Sequence, residues 1–480
     1  MSTNFYDTAQ DPNLVSQGLF YQLWQAVPIS PIILATLLLG PLIIFLTASL
    51  LLIGGVEKPE DESERDVWML PFQPVPWRIL ESFFGIPKRV ELRYQEALEE
   101  LNSCSKYLLD EPHMTKIIKN LVQNLERNTP QMISFVDSPI DLQPWERYAE
   151  ARFISLSETE LNLTSLLRDM IGHTAVPAVF GHALIEKYPS ILHDVRDMDA
   201  GRSYLLRKLP AWLPWPAVIQ AHMARLKVWK CLDDHQKAVD AAVSEEDIEG
   251  SWGDLGDVSE FIMKRNEVYR RYGIEVKERA EISVLWSLAA NSALISYWQI
   301  HHILTIPGLV DRIRAEITPY ASVAKPFSIG TIFEAPKLKL DYDSLLARCP
   351  LLKSTFLETL RLVDEQWGLR KSFLGDVKPV DNITFPEKFN PDRYLDSLPE
   401  ERKGSITSAG SLDSSLQKSN RFVEIECLAF VAAILVFWDI TPADKSTGWT
   451  IPEKQRLGGI AAPASETRVR IKRRKFEWVE

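Results

Sequence analysis

The sequence predicts a mainly α-helical protein carried by an N-terminal membrane anchor. Apolar residues recur at helical spacing with few interrupting glycines, as in VELRYQEALEELNSCSKYLL and MTKIIKNLVQNLE. Apolar residues make up 46% of the 480-residue chain and charged residues 25%, a balance typical of globular proteins. The stretch from Ile29 to Gly55 is predominantly apolar and contains no charged residue, and its length exceeds the roughly 20 residues that a bilayer crossing needs.

The flanks of this apolar stretch predict a retained transmembrane helix. A cleaved signal peptide needs a basic segment before its apolar core, whereas no Lys or Arg precedes Lys58. Because positive charge follows the span, we expect a lumenal N-terminus and a cytosolic body, anchored in the endoplasmic reticulum membrane. The predicted organisation is a lumenal segment 1–28, an anchor 29–56, an acidic linker 57–66 and a folded domain 67–480.

Charge and cysteine usage exclude several classes of function. A net charge of −11 and a pI near 5.4 argue against a nucleic-acid partner, and the basic tail RVRIKRRK is too short to reverse that balance. The four cysteines show no paired spacing, which indicates a reducing compartment and argues against a cysteine zinc motif. They are Cys104, Cys231, Cys349 and Cys427.

The segment CPLLKSTFLETLRL carries a candidate structural ion pair. Glu358 and Arg361 lie three residues apart on a predicted buried helix, so their side chains share a face and can form a bidentate pair. Downstream, FNPDRYL places Arg393 between a proline and an aromatic residue, where it can reach the same carboxylate. The alternative interpretation is an ordinary surface ion pair.

These motifs resemble the cytochrome P-450 family, in which Glu-x-x-Arg is followed by a Pro-x-Arg-aromatic segment. The sequence from Asp141 to Asp240 resembles that of the fungal branch of this family, which is related to its sterol- and prostanoid-type members. The resemblance implies a mainly α fold with a small β region, in which Glu358, Arg361 and Arg393 hold the haem-side core together. The segment after the Glu358 helix is shorter than the family's, so part of the β region is expected to be missing.

An apolar helix from Glu281 to Leu304 contains a small polar notch at Asn291 and Ser292. It resembles the family's central helix, where oxygen-activating members carry an acid or amide beside a threonine. Such a notch can polarise one ligand group where nothing competes for hydrogen bonds, so both residues are candidate catalytic groups. A packing notch of small residues is the equally weighted alternative.

The residues that would hold haem in this family are replaced. The family motif Phe-x-x-Gly-x-x-x-Cys-x-Gly supplies a thiolate to the iron. Counting back ten residues from Cys427 puts Gln417 at the ligand position, and a glutamine side chain is a poor iron ligand. In the same register Gly410, Asp413 and Ser419 replace the other three motif residues. The surrounding Ser- and Gly-rich segment predicts a flexible loop.

Two further features bear on metal binding. The Trp-x-x-x-Arg pattern that can meet a haem propionate is incomplete, because Trp145 is followed at the fourth position by Ala149. The histidines lack metal-ligand spacing, and the adjacent His301 and His302 point to different helix faces, so no metal site is predicted.

Three function classes remain open. The first is a haem-free enzyme, without a cofactor, that folds an apolar terpenoid- or polyketide-like substrate for a non-oxidative cyclisation of the Diels–Alder type. The second is a haem-dependent monooxygenase whose ligand loop is altered in this sequence. The third is a non-catalytic binder of lipophilic molecules, or a partner of an oxidase in the same membrane. A reductase or oxidase partner is left open.

Overall fold

The structure is a computed structural model that describes ten stretches of the chain. They are 75–247, 250–325, 328–329, 332–333, 336–363, 388–395, 411–444, 446, 448–455 and 460–476, with the backbone alone for 328–329, 332–333, 411–417 and 420. The chain divides into two units, 1–62 and 63–480, and every described residue lies in the second.

The predicted anchor 29–56 and its flanking segments 1–28 and 57–66 lie outside the described residues. None of the helices that the structure describes is both long enough and apolar enough to cross a bilayer.

Within its described part the domain is mainly α-helical with a small β region, which confirms the predicted fold class. The helices are α1 (Trp77–Ser82), α2 (Glu91–Ser103), α3 (Lys106–Leu109), α4 (His113–Asn128), α5 (Pro144–Tyr148), α6 (Leu163–Phe180), α7 (His182–Lys187), α8 (Ile191–Ala200), α9 (Arg202–Leu206), α10 (Pro216–Val243), α11 (Glu260–Arg271), α12 (Glu281–Thr305), α13 (Leu309–Ile317), α14 (Tyr342–Arg348), α15 (Pro350–Val363) and α16 (Ser411–Phe437). Short 3-10 turns occupy Lys88–Val90, Thr129–Gln131 and Val276–Glu278.

The β region consists of one four-stranded antiparallel sheet and three two-stranded ribbons. The strands are β1 (Arg152–Ser155), β2 (Glu158–Asn162), β3 (Ala321–Ala324), β4 (Ser328–Ile329), β5 (Ile332–Phe333), β6 (Lys337–Leu340), β7 (Trp438–Pro442), β8 (Lys454–Gln455), β9 (Ala462–Pro463) and β10 (Arg468–Arg473). The larger sheet has the order β1-β2-β10-β7, and β3–β6, β4–β5 and β8–β9 form the ribbons.

The basic tail of the sequence is the strand β10. Its cations pair with acids on the neighbouring strand β2: Arg468 and Arg470 lie 3.3 and 3.7 Å from Glu160, and Lys472 lies 3.3 Å from Glu158. Opposite charges across neighbouring strands stabilise a sheet. Three cations of the tail are therefore paired within the sheet.

The helix α12 forms the centre of the core. Every residue from Glu281 to Ile303 is buried, and the helix packs against α6, α15 and α16. A helix that is apolar on all sides is stable only when other elements surround it, as here. This position places the notch at Asn291 and Ser292 inside the core rather than at its surface.

Burial also acts on four histidines. It lowers the pKa of His173, His235 and His301 to about 4 and that of His302 to about 3, because the apolar surroundings disfavour the charged ring. His302 stacks on Phe389, with 4.6 Å between ring centroids.

We predict that the protein loses stability on acidification. The unfolded histidines bind protons near pH 6.5 whereas the folded ones do not, so stability is lost as the pH falls from about 6.5 towards the folded values, on the order of 3–5 kcal/mol for each ring once the folded pKa is reached. His302→Phe, which keeps a stacking ring, should lose less stability over this interval. Chemical denaturation at a series of pH values measures this, and parallel curves for the two proteins would contradict the prediction.

Candidate functional site

Glu358 lies at the centre of a buried ion triad. Arg361 donates to both carboxylate oxygens, Nε to Oε2 at 2.8 Å and Nη2 to Oε1 at 2.9 Å, and Arg393 Nε donates to Oε2 at 3.0 Å. The Glu358 side chain is fully buried and the two arginine side chains are 8% and 4% exposed. The structure therefore brings together three residues that are spread over 36 positions of the chain.

The helix α15 is fixed in place at its N-terminus. Pro350 occupies the first position, where a missing backbone N–H costs nothing. The Glu316 carboxylate of α13 accepts from the next two backbone amides, of Leu351 at 2.8 Å and Leu352 at 2.9 Å. A carboxylate at this end of a helix satisfies free amides and complements the helix dipole. Glu358 is thus carried on a helix whose start is anchored to a neighbouring element.

Besides Arg393, two backbone groups attach the segment 388–395 to α15. The backbone N–H of Asn390 donates to Glu358 Oε1 at 2.9 Å, and that of Tyr394 donates to Ser354 Oγ at 3.2 Å. At the surface, Arg312 of α13 pairs with Asp392 at 2.6 Å, with both side chains about half exposed. The segment therefore has a buried and an exposed attachment, which can be tested separately.

The notch on α12 faces α16 through Ser292. The hydroxyl of Ser292 donates to Glu426 Oε2 at 2.6 Å, and the thiol of Cys427 lies 3.6 Å from the Ser292 carbonyl, to which it donates. Asn291 and Ser292 are both buried, 7% and 1% exposed. Ser292 is thus engaged by a carboxyl group of the protein, which limits its use as an independent donor to a substrate.

Glu426 is the group at this site that the sequence analysis did not select. It is 3% exposed, and burial raises its pKa to about 7, an effect that the Ser292 hydrogen bond only partly opposes. Its second oxygen, Oε1, has no hydrogen-bond partner among the described residues. The apolar run FVEIECLAF contains two acids, Glu424 and Glu426, and an acid in such a run is the signal that could have indicated this site. Glu424 instead pairs with Lys353 at 2.5 Å. Sequence alone could not tell which acid faced the core.

The position at which the resemblance places the haem ligand lies within a helix. Gln417 and Ser419 belong to α16, which begins at Ser411. The prediction of a flexible loop is therefore wrong for residues 411–420, while Gly410 lies outside the described residues. The physical reason is local: the stretch SLDSSLQKSN contains neither Gly nor Pro, so nothing in it interrupts a helix that the apolar run after it stabilises.

None of the four cysteines fits as a haem thiolate. All four are free and buried. Burial raises every thiol pKa: to about 12 for Cys231 and Cys349, well above the ordinary value for Cys427, and less far for Cys104. Apolar burial disfavours the thiolate form of each side chain. Cys427, the only cysteine of α16, instead donates to the carbonyl of Ser292.

The two residues at the positions of the Trp-x-x-x-Arg pattern, Trp145 and Ala149, contact the protein itself. The indole N–H of Trp145 donates to the carbonyl of Met132 at 2.8 Å, and Ala149 is completely buried. Neither residue presents a donor to a haem propionate. The residues of this chain therefore do not fit haem held through a cysteine thiolate. Across the part of the chain that the structure describes, no three His, Cys, Asp or Glu side chains gather as a metal-binding group.

Comparison with known proteins points to cytochromes P-450. No family model matches the chain. It is 25% identical to cytochrome P-450 monooxygenase nodJ of Hypoxylon pulicicidum over 283 residues, 51% of this chain and 52% of the relative. A cytochrome P-450 monooxygenase of Gibberella zeae (21%, covering 58% and 55%) and poxD of Penicillium oxalicum (24%, covering 59% and 58%) are also similar. The chain thus spans little more than half the length of these relatives. Together with the mainly helical fold, the similarities support a cytochrome P-450-like family.

We predict that the ion triad stabilises the fold. Arg393→Ala leaves the buried carboxylate with one guanidinium fewer and should lower the free energy of unfolding by roughly 3–5 kcal/mol, as should Glu358→Ala or Arg361→Ala. Arg312→Ala, which removes the exposed attachment of the same segment, is the matched control and should cost at most about 1 kcal/mol. Denaturant unfolding measures both, and equal losses in Arg393→Ala and Arg312→Ala would refute a special role for the buried pair.

We predict that Glu426→Gln becomes more stabilising as the pH rises. The pKa of Glu426 is higher in the folded protein than the ordinary 4.5, so its contribution is complete below pH 4.5 and is lost as the pH rises to about 7. Glutamine keeps the neutral form, so the variant should gain about 2–4 kcal/mol over the wild type across this interval. Glu424→Gln, which breaks the pair with Lys353, is the control and should lower stability at neutral pH. Calorimetry of the wild type and both variants across this pH range measures the differences in stability.

Proposed function

We propose that this chain is a haem-free, cytochrome P-450-like enzyme that folds an apolar terpenoid- or polyketide-like substrate for a non-oxidative cyclisation of the Diels–Alder type. The observation that carries the proposal is the course of α16: Gln417 stands within this helix at the position where the resemblance places the ligand, and Cys427 donates to the carbonyl of Ser292. A membrane anchor at 29–56, with the domain on the cytosolic side of the endoplasmic reticulum, belongs to the same proposal.

The chemistry required by such a reaction is modest. Holding a flexible substrate in a reactive conformation can contribute about 7–11 kcal/mol in the best-oriented cases, and one hydrogen bond to a developing negative charge adds to it. A cycloaddition moves no proton and needs no oxidant, so a single hydrogen-bond donor inside an apolar core suffices. The notch on α12 offers such a donor in the Asn291 amide.

Glu426 gives the notch two hydrogen-bonding states. With a pKa of about 7, its carboxyl group is neutral in a large fraction of molecules at physiological pH. The neutral form can donate to Ser292 Oγ, and the serine proton is then free to point towards Asn291 and a substrate carbonyl. The ionised form instead accepts from the Ser292 hydroxyl, across the 2.6 Å contact between Oγ and Oε2. We therefore assign Asn291 and Ser292 as donors to the substrate and Glu426 as the residue that positions Ser292.

A haem-dependent monooxygenase is the second candidate, favoured by the names of the three relatives. A non-catalytic binder of lipophilic molecules is the third. Absorbance of the purified protein separates the second from the other two. We expect no Soret band and no shift upon reduction under carbon monoxide, and one equivalent of bound iron porphyrin would refute the haem-free proposal.

We predict a rate increase without NADPH when the protein is incubated with linear polyene substrates. Asn291→Ala should reduce this increase at least tenfold, since about 1.4 kcal/mol is lost with one hydrogen bond in the transition state. Ser287→Ala is the control: it lies one turn earlier on α12, is also buried, and its hydroxyl bonds to the carbonyl of Val284. No rate increase over buffer with the wild-type protein would leave only the binder.

A further inference from the structure

The C-terminus of α10 ends at Ser244 in a regular capping motif. The backbone N–H of Ser244 bonds to the carbonyl of Asp240, and Glu245 follows with a positive φ of 56°. The backbone N–H of Glu246 then bonds back to the carbonyl of Ala241 at 3.0 Å. A left-handed residue followed by this backward bond is the Schellman motif. The chain therefore leaves the helix at Ser244 and turns outwards.

Three consecutive acids follow the Ser244 hydroxyl. Glu245, Glu246 and Asp247 occupy the first, second and third positions after it, and all four residues are exposed. Among the residues that the structure describes, none of the three acids has an ion-pair partner. A serine followed by acids up to the third position is the sequence that acid-directed protein kinases modify, because their substrate grooves are basic.

Ser157 on the β1–β2 turn offers a similar sequence, but the fold uses its acids. Glu158 follows it directly and Glu160 stands at the third position, and Ser157 is exposed as well. Both acids lie on β2, however, where cations of β10 pair with them. A segment held in a sheet ladder is not free to extend into the groove of another protein. The structure thus separates two serines that look alike in the sequence.

We propose that Ser244 is a phosphorylation site for an acid-directed serine kinase. In this step the Ser244 hydroxyl oxygen attacks the γ-phosphorus of the nucleoside triphosphate that the kinase binds. One oxygen–phosphorus bond forms, and the bond from the γ-phosphorus to the bridging oxygen of the β-phosphate breaks. The nucleoside diphosphate leaves, and the hydroxyl proton passes to a base of the kinase. The proposal is independent of the cyclisation proposed above.

A phosphate at this position opposes the end of α10. Phosphoserine carries a charge of about −1.5 to −2 at neutral pH, and the C-terminus is the negative end of a helix. Asp240 lies four residues before Ser244 on the same helix face, where like charges repel each other. Both repulsions act on the last turn of α10 and favour its opening.

The last turn of α10 carries one partner of a buried ion pair. Asp240 Oδ2 accepts from Arg279 Nη2 at 2.6 Å, and the Arg279 side chain is 2% exposed. The Arg279 guanidinium also lies over the ring of Tyr269 on α11, at 6.0 Å from the centroid. Asp240 therefore ties the end of α10 to the segment that precedes α12. We expect phosphorylation of Ser244 to loosen this tie.

Incubation of the full-length protein with ATP and purified casein kinase 2, which is acid-directed, tests the site. Peptide mass spectrometry should find Ser244 modified at least about tenfold faster than Ser157. Ser244→Ala should abolish this signal, and the double variant Glu246→Gln, Asp247→Asn, which keeps the hydroxyl, should reduce it about tenfold. Protein kinase A, which requires arginine before the serine, is the control enzyme and should leave Ser244 unmodified.

Hydrogen exchange measures the effect of the phosphate on α10. The amides of 241–246 should exchange about two- to fivefold faster in the phosphorylated protein, as expected for an unfavourable charge at a helix end. Those of 220–228, at the other end of the same helix, are the internal control and should not change. In Asp240→Asn, which lacks the like charge, phosphorylation should accelerate the exchange less.

Two results would overturn the proposal. Modification of Ser157 as fast as Ser244, or no phosphate at Ser244, would remove the assignment of the site. Complete phosphorylation of Ser244 with unchanged exchange over 241–246 would show that the modification does not act on the last turn of α10.

Discussion

The buried carboxylate of Glu358 constrains the rest of the structure. A charge without water around it is costly, and here two guanidinium groups and the backbone N–H of Asn390 offset that cost. Arg361 lies on the same helix, but Arg393 and Asn390 reach the carboxylate only when the segment 388–395 is in place. Burial of the Glu358 carboxylate therefore depends on attachment of the segment 388–395 to α15. Because α15 packs against α12, the same carboxylate also fixes one side of the core helix that carries the notch.

A second buried contact joins α12 to α16 and depends on pH. Ser292 and Glu426 meet inside a largely apolar interface. In the resembling family this region of α16 would follow a haem-ligating loop. Here the helix extends back through Gln417, and its cysteine bonds to the α12 backbone. The two helices are therefore joined through Ser292 by one side-chain and one backbone hydrogen bond.

Two basic segments of the sequence direct positive charge to acids of the fold. In β10, Arg468 and Arg470 pair with Glu160 and Lys472 pairs with Glu158, across the sheet. In the stretch 207–230, which contains no acid of its own, Lys208 pairs with Glu81 and Lys227 with Asp194. Cations that look unpaired in the sequence therefore meet acids from other elements in the folded chain.

The sequence by itself determined the helical fold class and the i,i+3 placement of Glu358 and Arg361, because periodicity and spacing are local properties. For residues 411–420 the prediction of a loop was wrong, because a Ser-rich composition was given more weight than the absence of any helix breaker. Only the tertiary structure decided that Glu426 rather than Glu424 faces Ser292, and that the N-terminal half of α10 buries Ala221 and Ala224 while it exposes Met223 and Leu226. Both outcomes depend on which helix faces meet. Packing decides this, between Ser292 and Glu426 across 134 positions of the chain and between α10 and α8 over a much shorter separation. Burial then sets the pKa of the groups that it encloses.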